Sequence, residues 1–222
     1  MSITLHDSLL RSLLKRVYFI NGTAYAGKST MVRMLAEKHD GVFCGENYHD
    51  ALMKDLSPAD YPCLCYFDTM SGWEEFLRRA PEEYAAWLDG CSREAAELEL
   101  VMLLRLTAES DRPIFVDTNI PVDWLRRIAQ PDHVAIMLSP PSTVVERFFD
   151  RSDPEKQFLL RQIEALPDAP AVMENFRQTL ALINGPKYRA AFENSGFFTL
   201  QRDEARAPED TLRLLEEHFS LK

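Results

Sequence analysis

The stretch Gly22-Thr23-Ala24-Tyr25-Ala26-Gly27-Lys28-Ser29 constrains this chain more than any other. It satisfies the pattern G-x-x-x-x-G-K-S/T at every position, and each residue type has a physical reason. Gly22 and Gly27 reach backbone angles that a side chain forbids. Successive N–H groups can then turn inward on one anion. Lys28 carries a cation on a stem long enough to reach the β- and γ-phosphates of a nucleoside triphosphate, and the Ser29 hydroxyl suits magnesium. Thr30 continues into a helix whose positive end also favours phosphate. The flanks agree with the motif. The apolar run Val17-Tyr18-Phe19-Ile20 reads as a strand ended by the Asn21-Gly22 turn signal, and Met31, Val32, Met34 and Leu35 give a helix over 29–38. The string therefore predicts a phosphate site and the strand–loop–helix unit that carries it.

The rest of the chain repeats that alternation. Residues 41–45, 113–117, 133–138 and 197–200 read as four more short apolar strands, separated by helical stretches. A leucine-rich amphipathic helix is expected over 4–15. Short buried strands alternating with helices imply a parallel sheet covered on both faces. The expected fold is α/β, a three-layer arrangement of a five-stranded parallel sheet with helices on both faces and helical insertions. A length of 222 residues suits one domain, 1–222. Two insertions interrupt it: a helical acceptor-side segment at 52–110, and a lid and helical insertion at 147–194. In the first, Trp73, Phe76, Leu77, Ala80, Tyr84, Trp87 and Leu88 share one helical face, which Pro81 must break or kink. Arg93 to Leu106 reads as a further helix. In the second, Gly185-Pro186 closes one helix and opens another. Both insertions belong at the binding edge of the sheet, where specificity is set.

Asp117 ends the third strand at the edge where the phosphate loop begins, which suits a carboxylate in a magnesium shell. A turn or cap role is the competing reading, since Thr118, Asn119 and Pro121 also signal a loop. The formal net charge of -10 disfavours nucleic acid as a main partner. The four cysteines lack zinc-site spacing and read as reduced thiols, which suits a cytoplasmic protein. Residues 1–16 lack the pattern of a leader, and no apolar run reaches the length of a membrane span.

The opening Ile20-Asn21-Gly22-Thr23 with Ala26-Gly27-Lys28-Ser29 resembles the small P-loop kinase superfamily, most of all the chloramphenicol phosphotransferases. Gly45-Glu46-Asn47-Tyr48-His49-Asp50 is weakly similar to the G-D-x-x-H-P stretch of gluconate kinases, with Glu46 for the Asp and Asp50 for the Pro. The D-x-D of shikimate kinases and the E-R-S of deoxynucleoside kinases are absent. The resemblance implies ATP and Mg2+ as cofactors, with the nucleotide held by Gly22, Thr23, Ala24, Tyr25, Ala26, Gly27, Lys28, Ser29 and Thr30. The metal falls to Ser29 and Asp117. Lys28 is implied as catalytic, and Glu46 or Asp50 as the group that handles the acceptor hydroxyl, with His49 next in line. Arg147 and Arg151, four apart on one helical face, match the lid arginines of such kinases; pairing with Asp150, Asp153 or Glu155 is the alternative. Arg202 stands where these folds touch the adenine. The leading expectation is a kinase that phosphorylates a hydroxyl of a small molecule. The alternatives are a P-loop ATPase or nucleotide-gated binding protein without an acceptor, and a polynucleotide kinase, which the acidic charge disfavours.

Overall fold

The computed structural model describes residues 5–140, 148–149 and 154–221. Its centre is five parallel strands: β1 (Val17–Gly22), β2 (Val42–Cys44), β3 (Ile114–Asp117), β4 (Val134–Leu138) and β5 (Phe198–Gln201), in the order β2-β3-β1-β4-β5. The register places Ile20 beside Asp117 and Gly22 beside Met137, so the phosphate motif leaves the sheet between two neighbouring strand ends. All five expected strands form. β1 runs two residues past its expected end at Ile20, because Asn21 and Gly22 remain in the strand.

Strand alternation explains the layers, since successive side chains point to opposite faces. Phe19, Ile114, Val116, Val134 and Ile136 pack on one face against Leu10 of α1 (Asp7–Leu13), Ala96 and Leu103 of α5 (Pro81–Glu109) and Leu125 of α6 (Val122–Ile128). Ile20, Phe115, Ala135 and Met137 point the other way. They meet Met31, Val32 and Leu35 of α2 (Lys28–Lys38) and Leu212 and Leu215 of the last helix, α10 (Pro208–His218). Both faces are thus buried, which is why these strands read as continuous apolar runs rather than alternating ones.

The insertions build a third apolar cluster. Phe76 and Leu77 of α4 (Trp73–Leu77) pack with Ile163 of α7 (Pro154–Glu164) and with Val172, Phe176 and Leu180 of α8 (Ala169–Ile183). A single turn, α3 (Tyr66–Thr69), precedes them, and α9 (Pro186–Glu193) follows after the Gly185-Pro186 break. Pro81 does break the aromatic stripe, and it does so by standing at the first position of α5, where a missing N–H costs nothing. One expectation is corrected: Arg93 to Leu106 is not a separate helix but the second half of α5, which is 29 residues long. Its interior Gly90 is tolerated because a Cβ there would lie 2.3 Å from the sulfur of Cys63. Among the described residues no helix is long and apolar enough to cross a membrane.

Candidate active site

The loop after β1 has the backbone its sequence requires. Gly22 has φ 133°, Tyr25 φ 63° and Gly27 φ 90°. A Cβ on Gly22 would stand 1.9 Å from the carbonyl oxygen of Met137, so only glycine lets the loop pass this close to β4. The Thr23 N–H donates to that same oxygen at 3.0 Å. Asn21 is buried; its Nδ2 donates to the Ile120 carbonyl at 2.7 Å and its Oδ1 accepts from the Gly22 N–H at 2.6 Å. The start of the cradle is thereby tied to the loop after β3. Gly27 caps α2 in the left-handed region, and Lys28 opens the helix.

Ser139, the residue after β4, holds the cradle from the other side. Its N–H donates to Thr23 Oγ1 at 2.7 Å and its hydroxyl donates to the Ala24 carbonyl at 2.7 Å. Ser139 is buried, so both bonds are shielded from water. Arg189 of α9, which the sequence did not single out, donates to the Ser139 carbonyl at 2.7 Å and to Gln201 Oε1 at 2.8 Å. It joins the ends of β4 and β5.

Lys28, Ser29 and Asp117 meet at the floor. Lys28 Nζ donates to the Thr23 carbonyl at 3.3 Å and lies 3.7 Å from Asp117 Oδ1. The Ser29 hydroxyl donates to Asp117 Oδ2 at 2.6 Å. Asp117 is 1% exposed, and its Oδ1 is buried without a hydrogen bond. A buried carboxylate oxygen of that kind beside a hydroxyl fits a hard cation, and Ser29 and Asp117 are the residues that would hold magnesium. No cluster of three or more His, Cys, Asp or Glu occurs among the described residues.

Beside the cradle lies a cavity of about 440 Å³, lined by Ala26, Gly27 and Thr30 on one side and by Arg202, Arg206 and Thr211 on the other. Arg202 donates its backbone N–H to the Leu138 carbonyl at 2.7 Å and a guanidinium N–H to the Tyr25 carbonyl. The residue expected at the adenine therefore borders a cavity that opens from the phosphate loop.

Glu46 is on the loop after β2, two strands from β1, and Asp50 is in the short helix that follows. Both are exposed, Asp50 with 71% of its side chain in solvent. Between them His49 is buried, in a 3-10 helix over Tyr48–Asp55. Beneath it stands Glu99 of α5, a fully buried carboxylate that the sequence did not single out. Glu99 Oε2 accepts from the Thr118 hydroxyl at 2.5 Å and the Tyr48 hydroxyl at 3.0 Å. Burial, reinforced by Glu99, holds the Tyr48 phenol well above its ordinary value and pushes the Cys44 thiol up to about 12. Glu99 repeats at helical spacing with Ala96 and Leu103 of the core face, which was its one legible trace. Arg147 and Arg151 lie outside the described residues.

No family model matches the sequence, and no curated protein matches it. The structure is similar to the 1.7 Å crystal structure of shikimate kinase from Bacteroides thetaiotaomicron, with a TM-score of 0.52, 15% identity, and coverage of 92% of this chain and 98% of that one. With its all-parallel sheet and the loop at the end of β1, the chain has the α/β P-loop fold that this shikimate kinase displays.

Proposed function

We propose that this protein is an ATP- and magnesium-dependent kinase that transfers the γ-phosphoryl group to a hydroxyl of a small molecule. The observation that supports this most is the joint geometry of Lys28, Ser29 and Asp117 beneath a complete glycine loop, with the Ser29 hydroxyl 2.6 Å from Asp117. In this reading the N–H groups of 22–30 bind the phosphates, and the Lys28 ammonium leaves the Thr23 carbonyl to meet the transferring group. Ser29 and Asp117 hold magnesium, which when bound offsets the charge of the β- and γ-phosphates. The nucleoside occupies the cavity beside Arg202. The insertions at 52–110 and 147–194 belong to the same domain and enclose the acceptor. Four free thiols and the acidic charge fit a cytoplasmic enzyme whose partners are ATP and a small molecule rather than nucleic acid.

Calorimetry with magnesium-ATP and an ADP-release screen over sugar acids, nucleosides, nucleotides and antibiotics test the reading. Lys28→Ala removes the cation nearest the transferring phosphate. Turnover should fall by about 10²-fold or more while the fold persists, as when one electrostatic stabiliser is removed elsewhere. A wild-type protein that binds no nucleotide refutes the proposal; one that releases ADP at the same rate with and without every acceptor is an ATPase instead.

A further inference from the structure

Glu99 is a fully buried acidic residue that the phosphate site does not use. Removing a charged carboxylate from water costs several kcal/mol unless partners replace the water. Glu99 has 0% exposure, and among the described residues no lysine or arginine pairs with it. Its partners are neutral donors from two neighbouring strand ends. The Tyr48 and Thr118 hydroxyls bond Oε2, and the Asn119 N–H reaches Oε1 at 3.4 Å. The remaining neighbour of Oε1 is His49 Nδ1, at 3.6 Å, and that nitrogen is buried without a hydrogen bond. A closure of about half an ångström turns this approach into a hydrogen bond of ordinary length.

The place matters as much as the pair. Tyr48 and His49 follow β2, and Thr118 and Asn119 follow β3. Those strands are neighbours, and β3 delivers Asp117 to the phosphate floor. Glu99 thus links the β2 loop to the backbone next to the cradle. An imidazole whose Nδ1 faces a carboxylate is fixed in the tautomer that leaves Nε2 free as a base. His49 Nε2 lies 3.9 Å from the exposed Asp50 carboxylate, at the outer mouth of the pair.

Resting on the kinase reading above, we infer that His49 is the base that receives the acceptor's proton, and that Glu99 is the positioning residue that orients it and stabilises its charged form. As the acceptor oxygen forms its bond to the γ-phosphorus, its O–H proton passes to His49 Nε2. The bond from γ-phosphorus to the bridging oxygen breaks with its electron pair on ADP, and the imidazolium then releases its proton to water. The titratable groups around the pair are Asp50 and Tyr48 on its own helix, Cys44 on β2 and Glu99 on α5. Burial holds the Tyr48 phenol and the Cys44 thiol well above their ordinary values, so both keep their protons near neutrality; the carboxyl groups that face His49 are those of Glu99, 3.6 Å from Nδ1, and Asp50, 3.9 Å from Nε2.

The test uses the full chain, magnesium-ATP and the acceptor panel, with nitrogen-detected NMR of the His49 ring alongside. His49→Gln should lower the acceptor-dependent rate by about 100-fold, leave magnesium-ATP affinity unchanged, and remove the acid limb of the pH–rate profile. Glu99→Gln should lower the rate by about 10-fold or more and move both that limb and the His49 titration to lower pH, because the imidazolium loses its counter-charge. If Glu99→Gln does not fold, His49→Gln and the wild-type tautomer decide the matter. A wild type without acceptor-dependent ADP release fails the kinase reading and this assignment together. A wild type that turns over while His49→Gln equals it, or a neutral His49 protonated at Nε2, overturns the assignment alone.

Discussion

Gly22→Ala tests whether the phosphate cradle and the sheet share one geometric constraint. The new Cβ would stand 1.9 Å from the Met137 carbonyl oxygen, 1.1 Å inside the 3.0 Å that real Cβ atoms respect, and that oxygen is backbone and cannot rotate away. Relief requires the loop to leave β4, which breaks the 3.0 Å bond from the Thr23 N–H and leaves a buried carbonyl unpaired. An unsatisfied buried group costs about 1–3 kcal/mol. Holding alanine at φ 133° adds about 1–3 kcal/mol of backbone strain. The stiffer unfolded chain returns about 0.4–1 kcal/mol. The net expectation is a loss of about 1–5 kcal/mol. Urea unfolding followed by circular dichroism measures it, with calorimetry reporting a parallel loss of magnesium-ATP affinity. A destabilisation below about 1 kcal/mol with unchanged nucleotide affinity would refute the reasoning, since it would mean that the loop yields without disturbing either function of Gly22.

Asp117→Asn keeps the shape of the site and removes its charge, so the magnesium concentration for half-maximal turnover should rise several-fold while the ATP requirement moves less; an unchanged magnesium titration assigns Asp117 to structure. Gly90→Ala should stabilise α5 by about 0.5–1 kcal/mol in a Cys63→Ala background and not in wild type, where the new Cβ meets the sulfur at 2.3 Å; equal effects in both backgrounds, read from urea midpoints, would sink the packing explanation. Burial holds the His218 imidazole below its ordinary 6.5, with its Nε2 on the Val134 carbonyl at 2.9 Å. The unfolded chain then binds the proton first, so stability should decline as pH falls below about 6.5. His218→Gln should flatten that decline, and an identical slope between pH 7.5 and 5 in the two proteins would show that other groups cause it.

The phosphate loop was legible because its information is local. Gly22, Gly27, Lys28 and Ser29 act through backbone angles and a helix start, and both are properties of consecutive residues. The five strands were legible for a related reason: a strand buried on both faces must be apolar throughout. The sheet register then confirmed the position of Asp117 beside Ile20. Boundaries were less secure. The stretch Arg93 to Leu106 was read as a helix of its own, and the structure runs it on from Pro81 through Gly90, where Cys63 packs into the space a side chain would fill. The last helix, α10, and α6 escaped the sequence reading, although their apolar faces close the two layers.

What the sequence by itself determined is the class of the fold and the backbone of its first loop, since both follow from residues adjacent in the chain. What only the tertiary structure decided is the company each polar group keeps. Ser139 binds a loop 116 residues away, Arg189 reaches Ser139 across 50 residues, and Glu99 gathers Tyr48 across 51 and Thr118 across 19. No periodicity records such pairings. A glutamate on a helix reads as a solvated face until strand order and helix packing bury it. Once buried, the cost of its desolvation makes its partners, and the histidine beside it, residues that only the folded chain singles out.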